Sequence, residues 1–431
     1  MIETGVDYVS PDQLRRGLYI DLELGWMSHP FPKSSFKITS EQQIETIRAL
    51  GLQRVRFVPS RSDPPSVDAA SPMAAAHTAP LATEPVAMSA LASEQQRRAQ
   101  RQRQLDDQRH SLAQCDQQFG ATGRRYQSVL QLLHTQPFEA ARQSQEMVAG
   151  IVDELMGNGE SAIRLLSEGM GDRASLHPVN VTVLCLLLGQ ALGLDGAGLR
   201  LLGCAAFLHD IGKTALAEQV RLQASPVGHD EQASQQHVQL GLALGGQMAL
   251  PGDVLQAIAE HHEQADGSGY PKQLSGAAIS VAGRILGLVN RYENLCNPTL
   301  PSAAVTPHEA LAQIFSRMQP CFDAPVLGAF IRMMGVYPPG SVVQLANERF
   351  ALVVSVNSAR PLKPRVIVHD PSIPVGQALI LDLEQEGVPG IRRSLKPAGL
   401  PRAAMDYLSP RSRICYFFER AVPAQAHGAA A

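Results

Sequence analysis

Phe207-Leu208-His209-Asp210-Ile211-Gly212-Lys213 closes an apolar run with an adjacent histidine and carboxylate. At one helix end such a pair can reach two metal ions, with Asp210 bridging and His209 terminal. Lys213 follows one turn later and shares their face, where an ammonium can neutralise a phosphate. Taken alone, the same pair also reads as a buried histidine bonded near a helix end. A second string, His261-His262-Glu263 followed by Asp266-Gly267-Ser268-Gly269-Tyr270-Pro271, shifts that balance. Neutral imidazole is the commonest metal ligand. The glycine-rich turn behind the histidines allows close backbone approach.

Outward from these strings, residues 160–335 carry apolar residues at helical spacing, punctuated by Gly and Pro. Ile163-Leu166, Val181-Leu192, Leu199-Leu208, Val238-Leu250, Val254-His261, Val281-Leu295, His308-Met318 and Pro325-Met334 are read as helices. The fold class is therefore mainly α. It is a helical bundle in which facing helices supply metal ligands.

Past Pro338-Pro339-Gly340 the pattern turns β-rich, and 338–385 reads as a small β extension. Residues 386–431 carry little signal. Residues 1–60 read as a small α/β unit: short strands at Tyr8-Val9 and Leu18-Tyr19-Ile20, then a helix capped by Ser40 with Gln43 reaching back. Gly51 ends that helix, and Arg54 to Val58 alternates like a strand. Residues 61–92, rich in Ala and Pro, read as a disordered linker. Residues 93–155 read as a polar helical connector, and 156–337 as the domain that carries the chemistry.

Together, "HDIGK" and "HHEQADGSGYP" make the chain resemble the HD-GYP phosphodiesterases, a family of metal-dependent phosphohydrolases. Residues 1–60, through Pro30-Phe31 and the final strand, resemble the small domain that often precedes them. The resemblance implies an HD-type bundle and further ligands. His177 in His177-Pro178-Val179-Asn180-Val181 matches the family's first metal histidine. His237, with Gly241 four residues on, matches a mid-domain one. The implied set is His177, His209, Asp210, His237, His261 and His262, with Asn290 at the place of the closing ligand. The implied cofactors are two divalent ions, Fe or Mn.

The implied reaction is hydrolysis of cyclic di-GMP to linear pGpG and/or GMP. Asp210 and Lys213 would be catalytic, and Lys213, Asp266, Gly267 and Tyr270 would contact substrate. The resemblance also implies docking of diguanylate cyclase domains on Gly269-Tyr270-Pro271, and a homodimer is one option. Departures stand beside these. Asn290 replaces a charged Asp, Glu293 and Asn294 replace a following Asp-Ala, and Asn297 to Pro301 replace an Arg-Pro-Tyr string. Gln223-Ala224-Ser225-Pro226 stands where the family has Lys-Pro-Gly, and Arg173 where some members carry an extra Glu. Three readings follow: an active phosphodiesterase, a weak or inactive module that binds the dinucleotide or a partner, and a hydrolase of another nucleotide.

The whole chain supports this setting. Its 431 residues allow two or three domains, and 45% hydrophobic with 18% charged residues fits a globular protein with a flexible part. A net charge of −3 offers no basic face for DNA. The arginines at 97, 98, 101 and 103 lie among acidic residues without interleaved aromatics, so they read as a solvated helical face. Six scattered cysteines without a CxxC pair point to a reducing compartment. The greasiest stretch, Val179 to Leu194, is too short and polar for a membrane span, so the expected location is cytoplasmic.

Overall fold

A computed structural model describes residues 7–22, 35–49, 52, 54–63, 84–157, 159–169, 173–216, 229–357, 363–385 and 388–420. Two compact units emerge, Met1–Pro85 and Val86–Ala431.

In the first unit, strands β1 (Asp7–Val9), β2 (Tyr19–Asp21), β3 (Ser35–Lys37) and β4 (Val55–Phe57) form an antiparallel sheet in the order β1-β4-β2-β3. Helix α1 (Glu41–Ala49) contributes Ile44 and Ile47, three residues apart, to a core with Leu14, Leu18, Ile20, Ile38 and Val55. The expected cap is present: Gln43 N donates to Ser40 Oγ at 3.3 Å and Ser40 N to Gln43 Oε1 at 3.3 Å. Pro30-Phe31, Gly51 and the string around Gln223 lie outside the described residues.

The second unit begins with α2 (Glu84–Leu132) and α3 (Pro137–Gly157). The turns of α2 before residue 93 stand where a disordered linker was expected. Cys115, Phe119, Tyr126, Val129 and Leu133 form a buried stripe at intervals of three, four and seven, which holds the helix to the bundle. Leu105 is also buried, so the stretch read as wholly solvated has an inner face. Arg101 and Arg109 are not idle: they donate to the carbonyls of Gln377 (2.8 Å) and Gly376 (2.5 Å).

The bundle proper comprises α4 (Arg173–Ala191), α5 (Gly196–Leu208), α6 (His229–Gln247), α7 (Gly252–Glu260), α8 (Val281–Cys296), α9 (Pro307–Arg317) and α10 (Ala324–Met334). Helix α4 is the central one, buried on almost every side from Leu176 to Gly189. Its apolar run is therefore a core helix, and no helix among the described residues is long and apolar enough to cross a membrane.

Ile163-Leu166, read as helical, instead falls largely in strand β5 (Ser161–Leu165). All five residues are buried, Arg164 beside Glu419 of the neighbouring strand, and so short a run cannot be assigned to helix or strand by period alone. The β-rich region forms the expected small sheet and takes β5 into it. Strands β6 (Val342–Leu345), β7 (Phe350–Asn357), β8 (Arg365–Val368), β9 (Leu381–Asp382), β10 (Ile391–Leu395) and β11 (Tyr416–Arg420) join β5 in one antiparallel sheet. The segment 386–431, expected to be poorly determined, supplies β10, helix α11 (Arg402–Leu408) and β11. Strand β11 pairs with β5 in the register Tyr416↔Leu165 to Arg420↔Ser161. This pairing is remote in sequence, so no local pattern announces it.

Candidate metal centre

Five imidazoles and one carboxylate converge from four helices. His177 lies near the start of α4, His237 lies in α6, and His209 and His261 occupy the C-caps of α5 and α7. The last carbonyls of a helix lack intrahelical partners. Both capping histidines use this. His209 Nδ1 donates to Ala206 O at 2.7 Å, and His261 Nδ1 to Ile258 O at 2.6 Å. A proton committed at Nδ1 leaves the Nε2 lone pair facing inward, as a metal ligand requires.

The ligand atoms fall into two trios, His177 and His209 with Asp210, and His237, His261 and His262. His177 and His209 approach each other at 3.1 Å, and lie 3.4 and 3.3 Å from Asp210 Oδ2. On the other side, His237 Nε2 lies 3.2 Å from the Nε2 atoms of both His261 and His262. Asp210 Oδ1 faces this second trio, 3.5 Å from His237 and 3.9 Å from His261. Each carboxylate oxygen thus addresses one set of histidines. Oδ1 is buried and accepts no hydrogen bond, a costly condition for a carboxylate oxygen unless a cation satisfies it. These donors fit divalent metal ions, imidazole and carboxylate suiting Fe, Mn or Zn.

The electrostatics agree. Burial alone would raise Asp210, but the charges of His209 and Lys213 and bonds from His177 and His209 outweigh it and hold the carboxyl well below its ordinary range. Burial disfavours a charged His177, yet Glu293 and Asp210 overcome this and raise it to about 9. Burial, with neighbouring imidazoles, pushes His261 and His262 well below the ordinary histidine range and keeps them neutral.

Tight backbone contacts set the frame. Helix α6 passes so close to the turn Ile211–Ala215 that a Cβ on Gly212 would lie 1.9 Å from His237 O. Gly269 is equally constrained: its Cβ would lie 2.5 Å from His262 O. Glu263, buried, accepts from Lys272 N (2.6 Å) and Leu274 N (2.8 Å) and so closes the loop after His262.

The other expected site residues divide. Lys213 Nζ lies 2.5 Å from Asp210 Oδ2, at the centre's edge. Tyr270 stacks on His262 with ring centroids 4.6 Å apart. Asp266 is exposed and accepts from Ser268 N at 3.0 Å and Ser268 Oγ at 2.6 Å, while Gly267 takes φ +81°; both shape the turn.

Asn290 is buried on α8 between Gly287, packed against His261 O, and Glu293. Its Oδ1 accepts from Asn294 Nδ2 at 2.7 Å, and among the described residues it makes no hydrogen bond to the six converging ligands. Glu293 was the residue sequence reasoning left without a role. Its Oε2 contacts His177 Nδ1, forming a carboxylate–histidine arrangement that orients a ligand. The signal was its position, one turn after Asn290 on the same helix face.

The HD domain family matches residues 130–326, and the family described as Domain of unknown function (DUF3391) matches residues 8–143. A cyclic di-GMP phosphodiesterase of Pseudomonas aeruginosa is 26% identical over 389 residues, covering 87% of this chain and 88% of that protein. The cyclic di-GMP phosphodiesterase response regulator RpfG of Xanthomonas campestris pv. campestris is 32% identical over 149 residues, covering 34% of this chain and 39% of that protein. The 3′3′-cGAMP-specific phosphodiesterase 2 of Vibrio cholerae is 30% identical over 145 residues, covering 33% of this chain and 27% of that protein. The chain thus carries a match to the HD domain and, towards its N-terminal side, to DUF3391, and is similar over most of its length to a cyclic di-GMP phosphodiesterase.

Proposed function

We propose that this protein hydrolyses cyclic di-GMP at a two-metal centre, giving linear pGpG and/or GMP. The observation that carries this is the placement of Asp210, with Oδ2 toward the His177–His209 pair and Oδ1 toward the trio of His237, His261 and His262. His177, His209 and Asp210 would hold one ion; His237, His261, His262 and the shared Asp210 the other. Fe or Mn suits the mixed imidazole and carboxylate set. Two such ions supply Lewis acidity toward phosphoryl oxygens and make a nearby water more acidic.

The chain's own groups do the rest. The capped histidines stay fixed without reorganising, which preorganises the site. Lys213, half-exposed at its rim, answers the charge of an incoming phosphate. Water adds to one phosphorus, the P–O3′ bond breaks and the 3′ oxygen takes a proton. Cyclic di-GMP as substrate is also supported by the names of the relatives. The Gly269-Tyr270-Pro271 turn is packed against His262 and Gln264, which favours a role in shaping the site over docking a cyclase domain. A cytoplasmic location accords with a nucleotide substrate of that compartment.

A second reading rests on Asn290. A neutral amide engaged by Asn294 cannot add charge to the centre, so a weak module that binds the dinucleotide without turnover stands as the alternative. Chromatography of cyclic di-GMP and 3′3′-cGAMP after incubation with the Mn- or Fe-loaded chain separates the readings. Linear product from cyclic di-GMP supports hydrolysis. Binding without product supports the second reading, and turnover of 3′3′-cGAMP alone reassigns the substrate.

A further inference from the structure

Ile414, just before β11, and Tyr416, its first residue, are pinned by two asparagines, Asn180 of α4 and Asn297 at the C-cap of α8. Asn180 Nδ2 donates to Ile414 O at 2.7 Å, and Asn180 Oδ1 accepts from Tyr416 N at 2.9 Å. Asn297 Nδ2 donates to the same carbonyl at 2.8 Å, and Asn297 Oδ1 accepts from Ile414 N at 2.9 Å. Both amides also donate to one oxygen of Glu293, at 3.2 Å from Asn180 and 2.8 Å from Asn297. The other oxygen of Glu293 contacts His177 Nδ1.

Asparagine offers two donors and an acceptor on one planar group. Here those groups serve two masters, the backbone of the C-terminal segment and the carboxylate that orients a ligand. Fastening a strand end to a helix needs no carboxylate. The convergence of both amides on Glu293 is what a purely structural clamp leaves unexplained. Glu293 is almost fully buried, and those donors and His177 are the partners of its carboxyl oxygens.

We infer that the C-terminal segment from Ile414 to Tyr416 is a positioning element for His177, acting through Asn180, Asn297 and Glu293. The inference rests on the metal-centre reading above. It gives the late β-sheet a part in setting the affinity of one half of the centre, while the half built on His237, His261 and His262 lies outside these contacts.

The test uses the full chain carrying Asn297→Ala, with calorimetric titration of Mn2+ and melting of the metal-free protein. One of two Mn2+ binding steps should weaken by roughly 10- to 100-fold, as other outer-sphere changes do. The other step should stay close to that of the parent, and the melting temperature should fall only by what the lost hydrogen bonds of Asn297 cost. Asn297→Asp keeps the shape, withdraws a donor from Glu293 and adds like charge, so it should weaken the same step at least as much. It also carries the test if the alanine variant does not fold. Ring-nitrogen NMR of His177 in the metal-free chain reports the Glu293 contact independently of any metal. Those signals should move in both variants, with those of His261 unchanged.

Unchanged Mn2+ steps overturn the inference. So does equal weakening of both steps, which marks a merely structural clamp. Unmoved His177 signals overturn it whatever the metal does. A parent chain that binds no Mn2+ while its His177 signals respond as expected would instead count against the metal-centre reading.

Discussion

Gly212 and His237 meet backbone to backbone, so closely that a methyl group on Gly212 would lie 1.9 Å from the His237 carbonyl oxygen. The turn carrying Asp210 and the helix carrying His237 can therefore share a metal centre only if residue 212 lacks a side chain. Gly212→Ala should push α6 outward and separate His237 from His261. Overpacking of this kind costs about 1–3 kcal/mol. Urea unfolding should show that loss, and elemental analysis should show fewer metal ions per chain. A variant with parental metal content would refute the contact's role.

Asn290 offers the reverse change. It sits on the face of α8 that carries Glu293, and its neutral amide is engaged by Asn294. Asn290→Asp would place a charge beside the centre, and should tighten the weaker Mn2+ step on the order of 10-fold. Calorimetry decides this. No gain would mean that residue 290 does not face the metals.

Metal uptake should release a proton from His177. Glu293 and Asp210 overcome burial and raise that ring to about 9, so it is protonated at pH 7.5 in the metal-free chain. A ligand imidazole must be neutral, so binding expels the proton. His261 and His262 are already neutral and release none. Titrations in buffers of different ionisation enthalpy should show this release from His177 fading above pH 9. Glu293→Gln should reduce it at pH 7.5.

The metal-free chain should be most stable near pH 6.5. Stability rises with pH where the unfolded state binds more protons, and falls where the native state does. His261 and His262 are depressed when folded, so their contribution is lost as pH drops below the unfolded value of about 6.5. His177 acts in the opposite sense: its contribution is complete below about 6.5 and disappears as pH climbs through about 9. Each group changes stability by at most about 1.4 kcal/mol per pH unit. Melting curves in chelator at pH 5.5, 6.5 and 8.5 should place the maximum in the middle. A monotonic rise from 5.5 to 8.5 would contradict the His177 assignment.

The centre was more legible in the sequence than the sheet beside it. His209, Asp210, His261 and His262 lie in two short strings whose residue types already imply ligation, and family register supplied His177 and His237. Glu293 was visible as a carboxylate but not as a partner of His177, because that contact joins helices far apart in the chain. The same remoteness hid β11, whose pairing with β5 is invisible to local pattern. Strand β5 itself is short, and all five of its residues are buried, Arg164 beside Glu419 of β11 included, so it shows no solvent-facing period that marks a strand. The packed stripe of α2 was masked by the Gln and Arg residues between its apolar positions.

Asp210 and the five histidines would hold the metal ions on which hydrolysis of a cyclic dinucleotide depends. Turnover of cyclic di-GMP, followed as Mn2+ is added stepwise to metal-free protein, tests this most directly. Linear product should appear as the second equivalent binds, and Asp210→Ala should abolish both binding and turnover. Two bound equivalents with no linear product, or full turnover without metal, would contradict it.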